Sequence, residues 1–393
     1  MVCLIPAKPC RRFPDARNSI RCMFMKASWL TRNCHGFKMM NDSDSAVAIV
    51  QEQVQRAARE REPLCVTGGG TKRFLGRKPR GTPCSVRGIE GIVHYEPTEL
   101  VVSVRAGTAL KDLQDALSAS GQMLPFEPPA FGEEATIGGT IASGLSGPSR
   151  PYRGAARDFV LGVRCLNGKG EVLRFGGEVM KNVAGYDIAR LITGSMGTLG
   201  ILTEVSLKVL PSPAYSETRT YEMRLDEAFG LMTSLLSRPL PVSASAFDDG
   251  RLRVRLSGSE AAVKAAGDEL GGELDGSADT FWTQLKEQQL DFFLEDLPLW
   301  RVNVKPQDLP IDLPGRSIID WGGALYWLKA DIRLAELTEM VRPFGGWVTG
   351  FRSANQDTDF SSPEASILQL NRRLKKAFDP AGILNPGRLF SHD

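Results

Sequence analysis

Residues 63 to 71 read Pro63-Leu64-Cys65-Val66-Thr67-Gly68-Gly69-Gly70-Thr71, and their order decides between fold classes. Pro63 starts a new element, Leu64 to Val66 form a short apolar run, and the run stops at three glycines. That is the pattern of a strand feeding a glycine-rich turn. Without side chains, the backbone N–H groups of Gly68, Gly69 and Gly70 can converge on an oxyanion as a nest, for which a pyrophosphate is the natural guest. The same residues also suit a plain turn. No Gly-Lys-Ser/Thr follows at Walker spacing and no Gly-x-Gly-x-x-Gly fingerprint is present, so neither a P-loop nor a Rossmann fold is expected.

Working outward, Val47, Val50, Val54 and Ala58 recur at helical steps after the capping residues Asn41-Asp42-Ser43-Asp44, which predicts an amphipathic helix over 45–60. Downstream, 89–94 and 100–106 read as strands and 109–120 as a helix closed by Gly121. The segment 132–157, GEEATIGGTIASGLSGPSRPYRGAAR, holds six glycines in 26 residues, so backbone there must approach something closely. A hairpin is expected from 159–166 and 171–175 across Asn167-Gly168-Lys169-Gly170, and a last strand over 201–210 ends before Pro211 and Pro213. These elements define a first domain of mixed α+β character at 45–212. Beyond it, strands at 217–224, 251–256, 300–304, 318–328 and 346–351 alternate with helices at 225–237, 260–270, 331–341 and 363–378. Such a rhythm predicts a second α+β domain over 213–393, one sheet covered by helices on one face. Its Trp300, Trp321 and Trp327 suit the core of that domain, with a partner interface as the alternative.

Bulk properties narrow the function. A chain of 393 residues with 42% hydrophobic content buries roughly three quarters of its unfolded surface and is long enough for two domains. Lys+Arg of 48 against Asp+Glu of 46 leaves a charge of +2, so no global field draws nucleic acid or an anionic membrane. No apolar run approaches the roughly 20 residues of a spanning helix, and membrane contact would be peripheral or through a partner. The seven cysteines show no CxxC spacing, so neither a disulfide framework nor a cysteine metal site is expected, and an intracellular, cytoplasmic address follows. Residues 1–40 stand apart: Lys8, Arg11, Arg12, Arg17, Arg21, Lys26, Arg32 and Lys38 face a single acid, Asp15, without hydrophobic periodicity. This head is expected to be disordered or a mis-assigned extension, the chain proper starting at Met39 or Met40.

VTGGGTKRFLGR (66–77), EPTELVVSVRAGTALKDLQDALSASGQMLPFEPP (96–129), the glycine segment 132–157, RFGGEVMKNVAGYDIARLITGSMGTLGILTEVSLKVLP (174–211) and FDPAGILNPGRLF (378–390) stand in fixed order. Together they resemble the FAD-binding subunits of bacterial glycolate oxidases, over roughly nine tenths of the chain. The resemblance implies a PCMH-type, two-subdomain FAD-binding domain of the vanillyl-alcohol-oxidase class, followed by an α+β cap whose C-terminal segment returns to the flavin domain. It implies that Gly68, Gly69, Gly70 and Thr71 hold the pyrophosphate. Thr136, Ile137, Gly138, Gly139, Ala142, Ser143 and Gly144 would line the flavin, Gly200 and Ile201 would take the adenine end, and Asn385 would face the flavin. The FAD is expected to be non-covalent, because Gly70 stands where histidine-linked relatives carry the anchoring histidine. Partners implied are a catalytic flavoprotein subunit and an iron–sulfur subunit, which could hold the complex at the inner membrane.

The catalytic side is thinner. Lys181 and Tyr186, within KNVAGYD (181–187), offer a cation and a titratable hydroxyl near the isoalloxazine, against a bland reading as interface and solvent residues. Catalytic members of the family resemble one another in a histidine cluster in the cap, and here the chain departs from them: its histidines are His35, His94 and His392. The usual base for a 2-hydroxy acid is therefore missing. Three readings stay open: a subunit that supports 2-hydroxy-acid oxidation in a complex, an autonomous dehydrogenase, and an assembly subunit with an empty flavin site. A reductase of the enolpyruvyl-glucosamine type is less fitting, since the second domain shows no NADPH-accepting pattern.

Overall fold

The computed structural model describes residues 42–177, 187–305, 307, 309–352 and 360–389. The head at 1–40 and the candidates Lys181 and Tyr186 lie outside the described residues. Helix α1 (Asp42–Glu60) buries Val50, Val54 and Ala57. They pack with Leu64 of β1 (Leu64–Thr67), Cys84 of β2 (Thr82–Ser85), Leu166, Ile201 and Ile383 in a small core. β1 and β2 pair in parallel, Leu64 opposite Thr82. β2 escaped the sequence reading because Thr-Pro-Cys-Ser has almost no apolar signature.

The larger sheet of this half comprises β3 (Ile92–Glu96), β4 (Val101–Arg105), β6 (Val160–Leu166), β7 (Val172–Gly176) and β8 (Ile201–Lys208), in the antiparallel order β3-β4-β8-β6-β7. A two-stranded accessory, β5 (Gln122–Met123) with β9 (Leu210–Pro211), closes one end. Alternation puts Val102 and Val104 of β4 and Val205 and Leu207 of β8 in one core. The same core takes Leu110, Leu113 and Leu117 of α2 (Leu110–Ser118) and Ile137 and Ile141 of α3 (Ile137–Ser143). The short helices α4 (Arg150–Arg153), α5 (Ala156–Phe159) and α6 (Ile188–Ile192) complete this half. His94 sits exposed on the edge strand β3.

The second half is one antiparallel sheet of eight strands: β10 (Tyr215–Glu222), β11 (Val242–Asp248), β12 (Arg251–Gly258), β13 (Glu273–Leu274), β14 (Leu299–Asn303), β15 (Arg316–Asp320), β16 (Leu325–Lys329) and β17 (Trp347–Arg352). Their order is β13-β10-β12-β11-β15-β16-β14-β17. One face, with Leu252, Val254, Leu256, Tyr326 and Leu328, is covered by α7 (Leu225–Leu235), α8 (Glu260–Leu270) and α11 (Leu334–Val341). The other face carries Ile318, Leu325, Trp327 and Phe351. Against it pack α9 (Ala278–Glu287), α10 (Asp291–Leu294) and Phe74, Leu75, Phe131 and Leu145 from the first half. The final helix is α12 (Ala365–Phe378).

Two differences from the sequence reading have clear causes. The single strand expected at 318–328 is a hairpin, because the Asp320 carboxylate accepts the N–H of Trp321 at 2.6 Å and the next turn takes positive φ at Trp321, Gly322 and Gly323 (57°, 64° and 92°). β11 and α9 were not expected: Val-Ser-Ala-Ser-Ala-Phe-Asp alternates only weakly, through small residues that are nearly all buried, and α9 follows a glycine-rich turn with only Phe281, Trp282 and Leu285 to mark its buried stripe. Trp300, Trp321 and Trp327 are all buried, which places them in the core.

Candidate functional site

β1 runs straight into the glycine turn, and the closing turn of the chain fixes it there. The Leu64 N–H donates to the Ile383 carbonyl at 2.7 Å, and the Asn385 N–H donates to the Leu64 carbonyl at 3.0 Å. The Asn385 side chain, itself buried with φ of 43°, accepts the Val66 N–H at 2.7 Å and donates to the Met196 carbonyl at 2.7 Å. One amide thus ties the glycine turn to the loop before β8. Beneath it, Lys375 is buried and donates to Asp379 at 2.8 Å and to the carbonyls of Thr198 and Leu384 at 2.9 and 2.6 Å.

These segments enclose one cleft with two lobes. Val66, Gly68, Gly139, Ala142, Met196 and Asn385 line both. The first lobe adds Thr67, Gly69, Gly70, Thr71, Lys72, Arg73, Pro79, Thr136, Ser143 and Arg388. The second adds Val86, Gly138, Ser195, Gly197, Gly200, Ile201 and Leu202, a more apolar wall supplied by the start of β8. Twelve residues singled out in the sequence come together here: Gly68, Gly69, Gly70, Thr71, Thr136, Gly138, Gly139, Ala142, Ser143, Gly200, Ile201 and Asn385. Two do not line it. Ile137 is turned into the sheet core, and Gly144 ends α3 with φ of 64°, where a Cβ would come within 3.0 Å of the Gly194 α-carbon.

The glycines are required by close approach more than by turn geometry. Only Gly70 of the triplet has positive φ, 77°. A Cβ on Gly69 would run into the carbonyl of Glu134, one on Gly68 into the Thr136 hydroxyl, and one on Gly138 would come within 2.8 Å of Ala106 Cβ. The turn is therefore pressed against the segment leading into α3, and α3 itself against the end of β4. Thr136 caps α3, its hydroxyl accepting the Gly139 N–H at 3.2 Å. The N–H groups of Gly68, Gly69, Gly70 and Thr71 make no hydrogen bond among the described residues, so four consecutive donors at the cleft wall are open to an anion. In the apolar lobe, Ser195 Oγ is buried with no hydrogen-bond partner among the described residues. A diphosphate flanked by an aromatic base on one side and a larger ring on the other matches this donor set.

Lys72, Arg73 and Arg388 were not singled out, although the first two stand inside VTGGGTKRFLGR. Lys72 Nζ donates to the Ala130 carbonyl at 3.1 Å and lies 5.8 Å from the Phe131 ring centre. Burial pulls the Lys72 ammonium down to about 8, against the opposing pull of Glu287. Burial likewise lowers the Arg388 guanidinium to about 10, and its N–H groups are spent on the carbonyls of Arg77, Lys72 and Arg73.

Comparison with known proteins agrees with this geometry. Residues 46–176 match the FAD binding domain family, and residues 358–389 match the C-terminal domain of FAD linked oxidases. The chain is 47% identical to the glycolate oxidase subunit GlcE of Escherichia coli, covering 90% of this chain and 99% of that one. It is 27% identical to the glycolate oxidase subunit GlcD of Bacillus subtilis, covering 86% of this chain and 85% of the relative. A solved alkyldihydroxyacetonephosphate synthase shares the fold at 17% identity, with a TM-score of 0.60 over 86% of this chain and 75% of its own. The vanillyl-alcohol-oxidase type of flavin fold expected from the motifs is thus the fold observed, and the chain, which carries an FAD-binding domain, belongs to the family of the glycolate oxidase subunit GlcE.

Proposed function

We propose that this chain is the FAD-binding subunit of a glycolate oxidase complex, supporting oxidation of glycolate or a related 2-hydroxy acid to the 2-oxo acid. The observation that carries the reading is the row of open N–H donors from Gly68 to Thr71, facing the backbone of Gly138 and Gly139 across a cleft. Those donors bind the pyrophosphate, and Gly200 and Ile201 enclose the adenine end. Thr136, Gly139, Ala142, Ser143 and Asn385 border the flavin end, and no residue of the triplet turn offers a histidine for a covalent link. Bound FAD supplies two-electron redox chemistry there.

The second half supports the complex reading over an autonomous enzyme. From 213 to 377 the sequence contains no histidine. The sheet face that meets the cleft side is packed with rings: Phe74, Phe131, Phe351, Trp327 and Phe293 form a chain of edge contacts with centroids 4.8 to 6.1 Å apart. Dense aromatic packing excludes water and offers no base. The proton of a 2-hydroxyl is therefore taken at a partner subunit, a flavoprotein of similar fold, with electrons passing on to an iron–sulfur subunit. No described helix is long and apolar enough to cross a membrane. A cytoplasmic complex, with any inner-membrane attachment through its partners, is part of this reading.

The test is to express the chain alone and with its partners. Alone it is expected to take up FAD, turn yellow and release all of it on acid precipitation; colour held in the pellet would mean a covalent link. Glycolate-dependent dye reduction is expected only in the complex and is expected to be lost there when Gly69→Val empties the cleft. Full complex activity with this subunit flavin-free would leave it an assembly component.

A further inference from the structure

We propose that Lys72 sets the electron affinity of the flavin in this chain, as a cation fixed at the ring end of the cleft by the Ala130 carbonyl and poised against Glu287. This rests on the assignment of the cleft to FAD. The ring end is identified by what approaches it. The apolar lobe is walled by Val86, Ile201 and Leu202 of the first half and by Asn385 of the closing turn, and among the described residues none from the eight-stranded sheet or its helices lines it. Beside the lobe holding Lys72, the second half contacts the segment to which Lys72 bonds: Glu287 of α9 accepts the N–H groups of Ala130 and Phe131 at 3.1 and 2.7 Å, and Arg352 of β17 lies 4.6 Å from the Phe74 ring and 5.4 Å from the Phe131 ring. A ring that exchanges electrons with a donor or acceptor belongs at that end.

Lys72 differs from its cationic neighbours. Arg388 is consumed by three backbone carbonyls, and Arg352 stacks on rings. Lys72 is half-buried, lines the lobe, and has its stem immediately after the open donors of Gly68 to Thr71. Its bonds go to the Ala130 carbonyl and, at 3.4 Å, the Thr71 hydroxyl. The charged groups around it are Glu287 and Lys286 from α9, Arg352 from β17, Arg73 from its own turn and Arg388 from the closing turn. Glu287 is held by the two loop N–H groups, with Lys286 3.5 Å away. A lysine placed this way faces a ligand whose ring becomes more negative on reduction, and a fixed cation in a partly desolvated site favours that form. Because burial already draws the ammonium down to about 8, the cation is fully present well below that pH and fades above it. Two electrons and one proton enter the flavin from the reductant; no bond forms to Lys72.

The full-length, FAD-loaded chain is equilibrated with a redox indicator dye during slow enzymatic reduction, across a pH range spanning 8, for the wild type, Lys72→Met, Lys72→Arg and Glu287→Gln. Lys72→Met is expected to lower the equilibrium constant for flavin reduction at least tenfold, about 30 mV for a two-electron couple. Lys72→Arg keeps the wild-type value at neutral pH, and Glu287→Gln shifts the potential upward. The wild type is expected to show an added fall in potential above pH 8, absent from Lys72→Met and Lys72→Arg. Coincident potentials for wild type and Lys72→Met, with FAD bound in both, overturn the proposal. A wild-type chain that takes up no FAD is a separate result: it removes the cleft assignment, and the role of Lys72 with it.

Discussion

The two halves of the molecule meet in different ways near the cleft. The first half presents backbone: a glycine turn pressed against Glu134 and Thr136, open N–H groups, and one asparagine strut. The second half presents side chains. Its Phe293, Trp327 and Phe351 stand in edge contact with one another and with Phe74 and Phe131 of the first half, and its Arg301, with Arg150 of the first half, lies over the ring of Trp321 at 5.0 and 4.3 Å respectively. Backbone recognition of a diphosphate tolerates little change, because any Cβ intrudes. A wall of side chains can be rebuilt without losing the fold. The flavin half is therefore suited to hold the cofactor, while the second half is free to vary in the side chains it presents.

The comparison breaks most visibly if the second half proves competent in chemistry. With no histidine between 213 and 377, the isolated, FAD-loaded chain is expected to be reduced by millimolar glycolate or D-lactate more slowly than the complex by roughly a hundred- to ten-thousand-fold, the usual worth of general-base catalysis. Anaerobic stopped-flow, following flavin bleaching, reads this directly. Complete reduction within seconds would make this chain the dehydrogenase itself.

The backbone side is tested by Gly69→Val. Its side chain would enter the space of the Glu134 carbonyl, forcing the turn off the segment leading into α3 and scattering the open donors. Charge-assisted bonds are worth roughly 1.5 to 3 kcal/mol each, so losing two weakens FAD binding by at least about a hundredfold. Fluorescence titration measures the affinity, and a melting curve on the apoprotein separates lost binding from lost folding. Copurification with a full complement of FAD would show that the turn does not hold the pyrophosphate.

This contrast also explains what was legible in the sequence. The glycine-rich segments carry the family resemblance, and through it twelve cleft residues could be named, while the strand before the turn was visible in Leu64 to Val66. Physical reasons hid the rest. Gly144 and Ile137 stand in the same motif as the cleft residues but answer to helix termination and core packing, which a linear motif does not separate. Lys72 and Arg388 stand inside quoted segments, yet nothing local marks their roles: these come from carbonyls, a ring and a carboxylate brought in from other segments. β11 was masked by small residues, and the break at Trp321 by an apolar run that looks continuous until Asp320 turns back on the next N–H.

Asn385 joins what the two motifs on either side of it only suggest. Asn385→Ala would leave the Val66 N–H and the Met196 carbonyl without the partners they now have at 2.7 Å. At about 1 to 3 kcal/mol for each buried group left unsatisfied, the loss of stability is about 2 kcal/mol or more, with looser FAD binding because both lobes share this wall. Chemical denaturation with and without FAD measures both. Unchanged stability would make Asn385 a turn former and nothing else.

The smallest expected effect probes the side-chain wall. Asp320 is buried, and desolvation pushes its carboxyl up to about 7, aided by Glu127 and opposed by the Trp321 N–H, Arg255 and Arg301. In the unfolded chain the same group titrates near about 4. Between those values the folded state holds the proton and the unfolded state does not, so this group lowers stability as pH rises from about 4 to about 7 and contributes no further slope above. Asp320→Asn keeps an oxygen to accept the Trp321 N–H and has no charge to desolvate, so that part of the slope should vanish. Lost attraction to Arg301 and Arg255 offsets some of the gain, leaving a difference of about 1 kcal/mol, around two degrees in Tm. Melting curves of both proteins at about pH 5 and about pH 8 give the slopes. A steeper fall in the variant would mean that Asp320 is ionised in the folded protein and held by its arginines, making this wall an ion-pair lattice rather than a desolvated one.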